Sequence, residues 1–148
     1  MRAFFVAFVV LFFATSTAFA LPVENISVDT KKGSYIFKVE VAADHDSQEK
    51  GLMFRKKMAA NAGMIFDFHQ DVMTTFWMKN TILPLDIIFI RADGTISSIA
   101  ANAVPMSETP IPCVEPVRAV LELNAGRAAA LGIVPGARVR ALTFANAR

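Results

Sequence analysis

The segment Leu85-Asp86-Ile87-Ile88-Phe89-Ile90, Arg91-Ala92-Asp93-Gly94, Thr95-Ile96-Ser97-Ser98-Ile99-Ala100 reads as two strands folded back on a tight turn. Its flanks are rich in β-branched residues, which fit a pleated surface. Asp-Gly between them supplies the positive φ that a short hairpin turn needs. Leu85 to Ile90 is apolar except for Asp86. Alternation puts Asp86 on the face of Ile88 and Ile90. An ionised carboxylate there loses hydration and needs a partner.

The same period of two recurs on both sides. Upstream, Asn25 to Asp29 alternates, and Tyr35 to Val41 alternates after the Lys31-Lys32-Gly33-Ser34 turn, which predicts a hairpin. Asp44 to Lys50 is polar and helix-tolerant. Asp46 with Glu49 predicts its capping box, and Gly51 its end. Met64 to Phe68 and the aromatic Thr74 to Met78 are further strand candidates. Downstream, Val104 to Pro116 carries four prolines and is expected to cross the surface as an extended loop, because proline donates no ladder hydrogen bond. Val117 to Leu123 is a strand with Val117, Ala119, Leu121 and Leu123 on one face. Asn124 can cap a helix over Ala125 to Leu131, which Gly132 can close ahead of Pro135. Arg138 to Phe144 is the last strand. The expected fold is mainly β: a single compact antiparallel β-barrel or sandwich with two short helices.

At 148 residues the chain has room for one domain. Apolar residues make up 54%, but sixteen of them crowd into the first twenty positions, and the rest of the chain has ordinary globular composition. In that first stretch Arg2 is followed by an apolar run from Ala3 to Ala14, then by Ala18-Phe19-Ala20. The run is too short to span a membrane, for which roughly 20 residues are needed. A positive start, a short apolar run and small residues at Ala18 and Ala20 predict a signal peptide over residues 1–20, cut after Ala20. Residues 21–148 then form one exported domain that is not membrane-embedded, most simply in a bacterial periplasm. Fifteen basic against thirteen acidic residues exclude a basic nucleic-acid arm, so no nucleic-acid partner is expected. The single cysteine, Cys113, excludes a disulfide scaffold.

Gly51-Leu52-Met53-Phe54-Arg55, Gly63-Met64-Ile65-Phe66, Phe76-Trp77-Met78-Lys79-Asn80-Thr81, Pro84-Leu85-Asp86, Val120-Leu121-Glu122-Leu123-Asn124-Ala125-Gly126 and Leu131-Gly132-Ile133 follow one another in order. Together they resemble the domain-of-unknown-function family 192, small and often exported proteins. The likeness runs from about residue 26 to residue 144. It implies a compact β-rich fold with short helices and implies no activity. Where such proteins often carry an acidic residue after the last glycine, this chain has Gly136-Ala137.

Seven residues are candidates for a ligand-binding site: Arg55, Trp77, Lys79, Asn80, Asp86, Glu122 and Asn124. Lys79 and Asn80 beside Trp77 offer a cation, an amide and an apolar wall. Glu122 lies between Leu121 and Leu123 on the face of Arg118, Val120 and Asn124, either paired with Arg118 in solvent or lining a cleft with Asn124. Arg55 could hold a carboxylate, a phosphate or a buried aspartate. The six methionines beyond residue 20, with His45, His69 and Cys113, invite a Cu(I) site, but no tight Met cluster or His pair is present, and neither a metal nor a cofactor is expected. No Gly-x-Ser-x-Gly, His-Glu-x-x-His or phosphate-binding glycine loop occurs. These residues favour a ligand-binding or accessory module with a polar cleft near Trp77, Lys79, Asn80 and Glu122. The alternatives are a small periplasmic lyase or glycan hydrolase using Asp86 and Glu122, and an envelope structural or assembly protein. The ligand and the oligomeric state are not legible.

Overall fold

A computed structural model describes residues 20–146. The predicted signal peptide therefore lies outside the described residues except for Ala20.

The chain runs β1 (Val23–Thr30), β2 (Gly33–Ala42), α1 (His45–Lys50), β3 (Ala62–Val72), β4 (Thr75–Phe76), β5 (Leu85–Ile90), β6 (Ile96–Ala103), β7 (Ile111–Pro112), β8 (Val117–Asn124), α2 (Arg127–Leu131) and β9 (Arg138–Arg140). A 3-10 turn at Leu142–Phe144 follows, so the last predicted strand is shorter than expected. Seven strands make one sheet in the order β6-β5-β8-β3-β2-β1-β9, and β4 and β7 make a separate two-stranded ribbon. The large sheet curls into a half-barrel. Its two outer strands meet again where Thr95 bridges Arg138 and the Ile96 N–H donates to the Ala137 carbonyl at 2.8 Å.

The mainly β expectation holds, with one correction of direction. β2 and β3 pair in parallel, Val39 opposite Gly63 and Val41 opposite Ile65, so the sheet is mixed. Parallel neighbours need a long crossover, and residues 43–61, including α1, supply it. The helix cap also moves. Asp44, not Asp46, is the N-cap: the Ser47 N–H donates to its carboxylate at 3.0 Å and its own N–H donates to the Ser47 hydroxyl at 3.3 Å. The Asp93-Gly94 hairpin joins β5 to β6 as expected, with Gly94 at φ +86. A Cβ there would come within 2.5 Å of the Val139 carbonyl oxygen, so only glycine fits. The Val104–Pro116 loop is not wholly irregular, because Ile111 and Pro112 pair with Phe76 and Thr75. Pro112 is tolerated there because a two-stranded ribbon has only edges.

Two apolar clusters lie on opposite sides of the central strands. The first fills the curl of the sheet with Ile26, Val28, Phe37, Ile65, Ile88, Ile90, Leu121 and Leu123, and α2 closes it through Ala128. The second packs on the other side, where Met64, Phe66, Ile87, Phe89 and Val120 meet Leu52, Met78 and Leu83. Val117 joins this second cluster and so parts from Ala119, Leu121 and Leu123. All six residues of β5 are buried because both of its faces are covered. That is why its sequence is an almost unbroken apolar run.

Candidate functional site

Period-two alternation separates the acidic residues of β5 and β8. Glu122 stands opposite Met64 and Ile87, on the side of the second cluster. Asp86 stands opposite Leu123, on the side of the first. The two carboxylates thus face opposite sides of the sheet. They cannot flank one scissile bond as an acid–base pair, and that form of the enzymatic alternative fails on geometry.

Asp86 is fully buried and well satisfied. One carboxylate oxygen accepts from the Asn102 N–H at 2.9 Å, in an irregular stretch of β6 where Asn102 sits at φ +54. The other accepts from the Ala128 N–H at 2.9 Å, in the first turn of α2. The N-cap of α2 is Gly126, which has no side chain to offer, so Asp86 caps that helix from a distant strand. Asn124, expected to be the cap, turns elsewhere. Its amide donates to the carbonyls of Met58 and Ala59 at 3.2 and 2.9 Å, tying the crossover to β8. Arg55 forms a two-pronged pair with Glu40, one arm at 2.6 Å. That pair holds the Glu40 carboxyl below the usual carboxylate range, chiefly through the hydrogen bond from Arg55. Arg118 pairs with Asp67, not with Glu122.

Glu122 has no such arrangement. It is 5% exposed, and no hydrogen bond or ion pair reaches its carboxyl among the described residues. It lines a cavity of about 390 Å³ between the sheet and the crossover. Helix α1 forms one wall with Gln48, Glu49 and Lys50, and Phe66, Phe76 and Trp77 form the aromatic side. Gln48 fixes the helix against the sheet by donating to the Asp67 carbonyl at 2.8 Å. Phe76 meets Phe66 edge-to-face at 5.0 Å between centroids and Phe89 at 6.1 Å. Burial without a partner pushes the Glu122 carboxyl up to about 8. At neutral pH it is largely an uncharged acid facing a hollow with one aromatic and one polar wall.

Trp77 is 47% exposed and borders a second hollow as well, which Lys79 and Asn80 help line. The Lys79 ammonium lies 5.0 Å from the centroid of the Trp77 ring, within cation–π range. Asn80 holds a left-handed backbone at φ +54, and so do Phe54 at φ +64 and Met106 at φ +63. The Phe54 N–H donates to the Asn80 carbonyl at 2.8 Å and the Met106 N–H to that of Thr81 at 3.0 Å.

The structure thus brings Glu122 and Trp77 to one cavity and puts Lys79 and Asn80 next to it. Arg55, Asp86 and Asn124 are tied into other contacts. The α1 wall was not anticipated, because a six-residue polar helix gives too short a pattern to show which face is covered. Phe66 and Phe76 were read only as strand residues, although their size could have marked a cavity wall.

The fold and site define a class: a small half-barrel β-domain with a carboxylic acid under an aromatic-walled cavity. The chain belongs to the domain-of-unknown-function family 192, described as "Uncharacterized ACR", whose model matches residues 27–141. It is similar to a solved protein of Sinorhizobium meliloti 1021 proposed as a transcription regulator. The two share 45% identity at a TM-score of 0.82, over 85% of this chain and 98% of that one. It is also similar to a protein of unknown function from Novosphingobium aromaticivorans DSM 12444, at 45% identity and a TM-score of 0.80, over 87% of this chain and 90% of that one. No curated protein matches the chain.

Proposed function

We propose that this is an exported domain that binds a small molecule in the cavity over Glu122, with Trp77 at its border. One observation carries this reading: the Glu122 carboxyl is buried, lacks a partner among the described residues and lines a cavity. An acid that faces a cavity without a protein partner among the described residues is placed to take one from a ligand or water. A volume of about 390 Å³ falls within the range of small-molecule pockets. Export rests on the sequence of residues 1–20. A cut after Ala20 would leave Leu21 packed on the second cluster and the Pro22 carbonyl accepting from the Val41 N–H at 2.8 Å. The label of the S. meliloti relative is not carried over, because α1 and α2 span six and five residues, under two turns each, and neither offers the long recognition helix of the common DNA-binding motifs.

Native mass spectrometry of the protein recovered from its own periplasm tests both parts. The expected spectrum shows a chain beginning at Leu21 with a retained small molecule, and the adduct is lost in Glu122→Gln, which stays folded with a melting temperature no lower than that of the ligand-free parent. A chain still carrying residues 1–20 would remove the export reading. An adduct that persists in the variant would remove the cavity reading.

A further inference from the structure

We infer that the cavity takes a small organic amine, its ammonium group at the Glu122 carboxylate and its hydrocarbon body against Phe66, Phe76 and Trp77. This rests on the ligand-binding reading above and names its ligand class. Three features of the cavity point the same way. The first is an acid at 5% exposure that no cation among the described residues pairs with, so its ionised form can take a countercharge from a ligand. The second is the aromatic wall of Phe66, Phe76 and Trp77, whose area covers an apolar body. The third is the balance of charge elsewhere on the lining. The other titratable groups there are His45, Glu49 and Lys50, all on α1, and Glu49 and Lys50 are of opposite sign. The strand neighbours of Glu122, Met64 and Ile87, carry no charge. Lys50 on the lining is matched by Glu49, so an anionic ligand would find no net positive charge among the described lining groups.

The proton balance makes the inference measurable. Below about 8 the carboxyl holds its proton, and an alkylammonium ion also arrives protonated. Pairing the two releases one proton from Glu122 to solvent, while the ammonium keeps all of its own. Affinity therefore rises about tenfold per pH unit through neutrality. It levels off above the carboxyl's titration and falls once the amine itself deprotonates, near pH 10.

The experiment uses the mature chain in weakly buffered, amine-free solution. It is titrated with n-hexylamine and with n-hexanol, its neutral counterpart, with calorimetry and a pH-stat reading in parallel. We expect one hexylamine bound per chain with close to one proton released at pH 6.5 and almost none at pH 9. Hexanol should bind at least tenfold more weakly, and Glu122→Gln should lose at least tenfold in hexylamine affinity. The proton count needs no variant, so it stands even if the substitution disturbs folding. Equal binding of hexanol and hexylamine without proton release would overturn the ammonium inference and leave the cavity reading in place. Absence of binding by either compound would overturn both.

Discussion

At the scale of single residues, the two acids that the sequence could not tell apart are opposites. Both interrupt apolar strands, and both are candidate site residues. Alternation showed which face each shared, but it could not say that one face would be lined with backbone donors and the other with a hollow. Asp86 accepts two buried N–H groups, and its loss strands both. Asp86→Ala is expected to cost about 2–4 kcal/mol in urea unfolding, with α2 and the irregular stretch of β6 losing amide protection first. A variant within 0.5 kcal/mol of the parent would show that neither donor depends on it. Glu122 has the reverse pH signature. Its carboxyl is raised from an ordinary 4.5 to about 8, so the native state holds a proton the unfolded chain gives up. Its favourable contribution is full below about 4.5 and is lost as pH rises through about 8, a change of a few kcal/mol. Against pH, the melting temperature of the parent should fall relative to that of Glu122→Gln, which has no such proton. Parallel curves from pH 4 to 9 would contradict an unpaired acid.

At the scale of elements, periodicity found the strands and could not orient them. Leu85–Ile90 was located to the residue, because covering both faces gives a bounded apolar run. The β1–β2 hairpin was legible in its alternation and its glycine. The parallel pairing of β2 with β3 was not, since an alternating strand looks the same in either direction and only the length of the crossover hints at it. Of the seven candidate site residues, Trp77 and Glu122 share the cavity, and the crossover that completes its wall carries no long-range signal. Where β2, β3 and β8 run side by side, Gly63 is indispensable for space rather than for conformation. A Cβ on it would lie 2.5 Å from the Glu122 carbonyl oxygen and 2.8 Å from the Leu123 side chain. Gly63→Ala should therefore destabilise by about 1–3 kcal/mol or more and shift the β8 amide resonances around Glu122. Stability equal to the parent would mean that the strands can spread at no cost.

At the scale of the whole molecule, one thiol reports on the second cluster. Cys113 is a free cysteine, 4% exposed, and the Thr74 N–H donates toward its sulfur at 3.2 Å behind the β4–β7 ribbon. In the oxidising compartment that the proposed export implies, a lone thiol is at risk of oxidation or cross-linking. Enclosure removes that risk without a partner cysteine. Labelling by a charged disulfide reagent should proceed at the rate of unfolding and speed up in denaturant in step with it. Rapid labelling in native buffer would mean that the ribbon opens by itself.

The opposed placement of Asp86 and Glu122 also acts as a registration key for the centre of the barrel. Sliding either strand by a single position would invert its side chains. Asp86 would then be carried out to the aromatic hollow, leaving two amides bereft, or Glu122 would be driven in among the isoleucines with nothing to greet it. A one-position slip of either strand thus adds a desolvation cost beyond that of the native pairing, and the assembling chain has a means of rejecting that misalignment that its greasy neighbours alone could not supply.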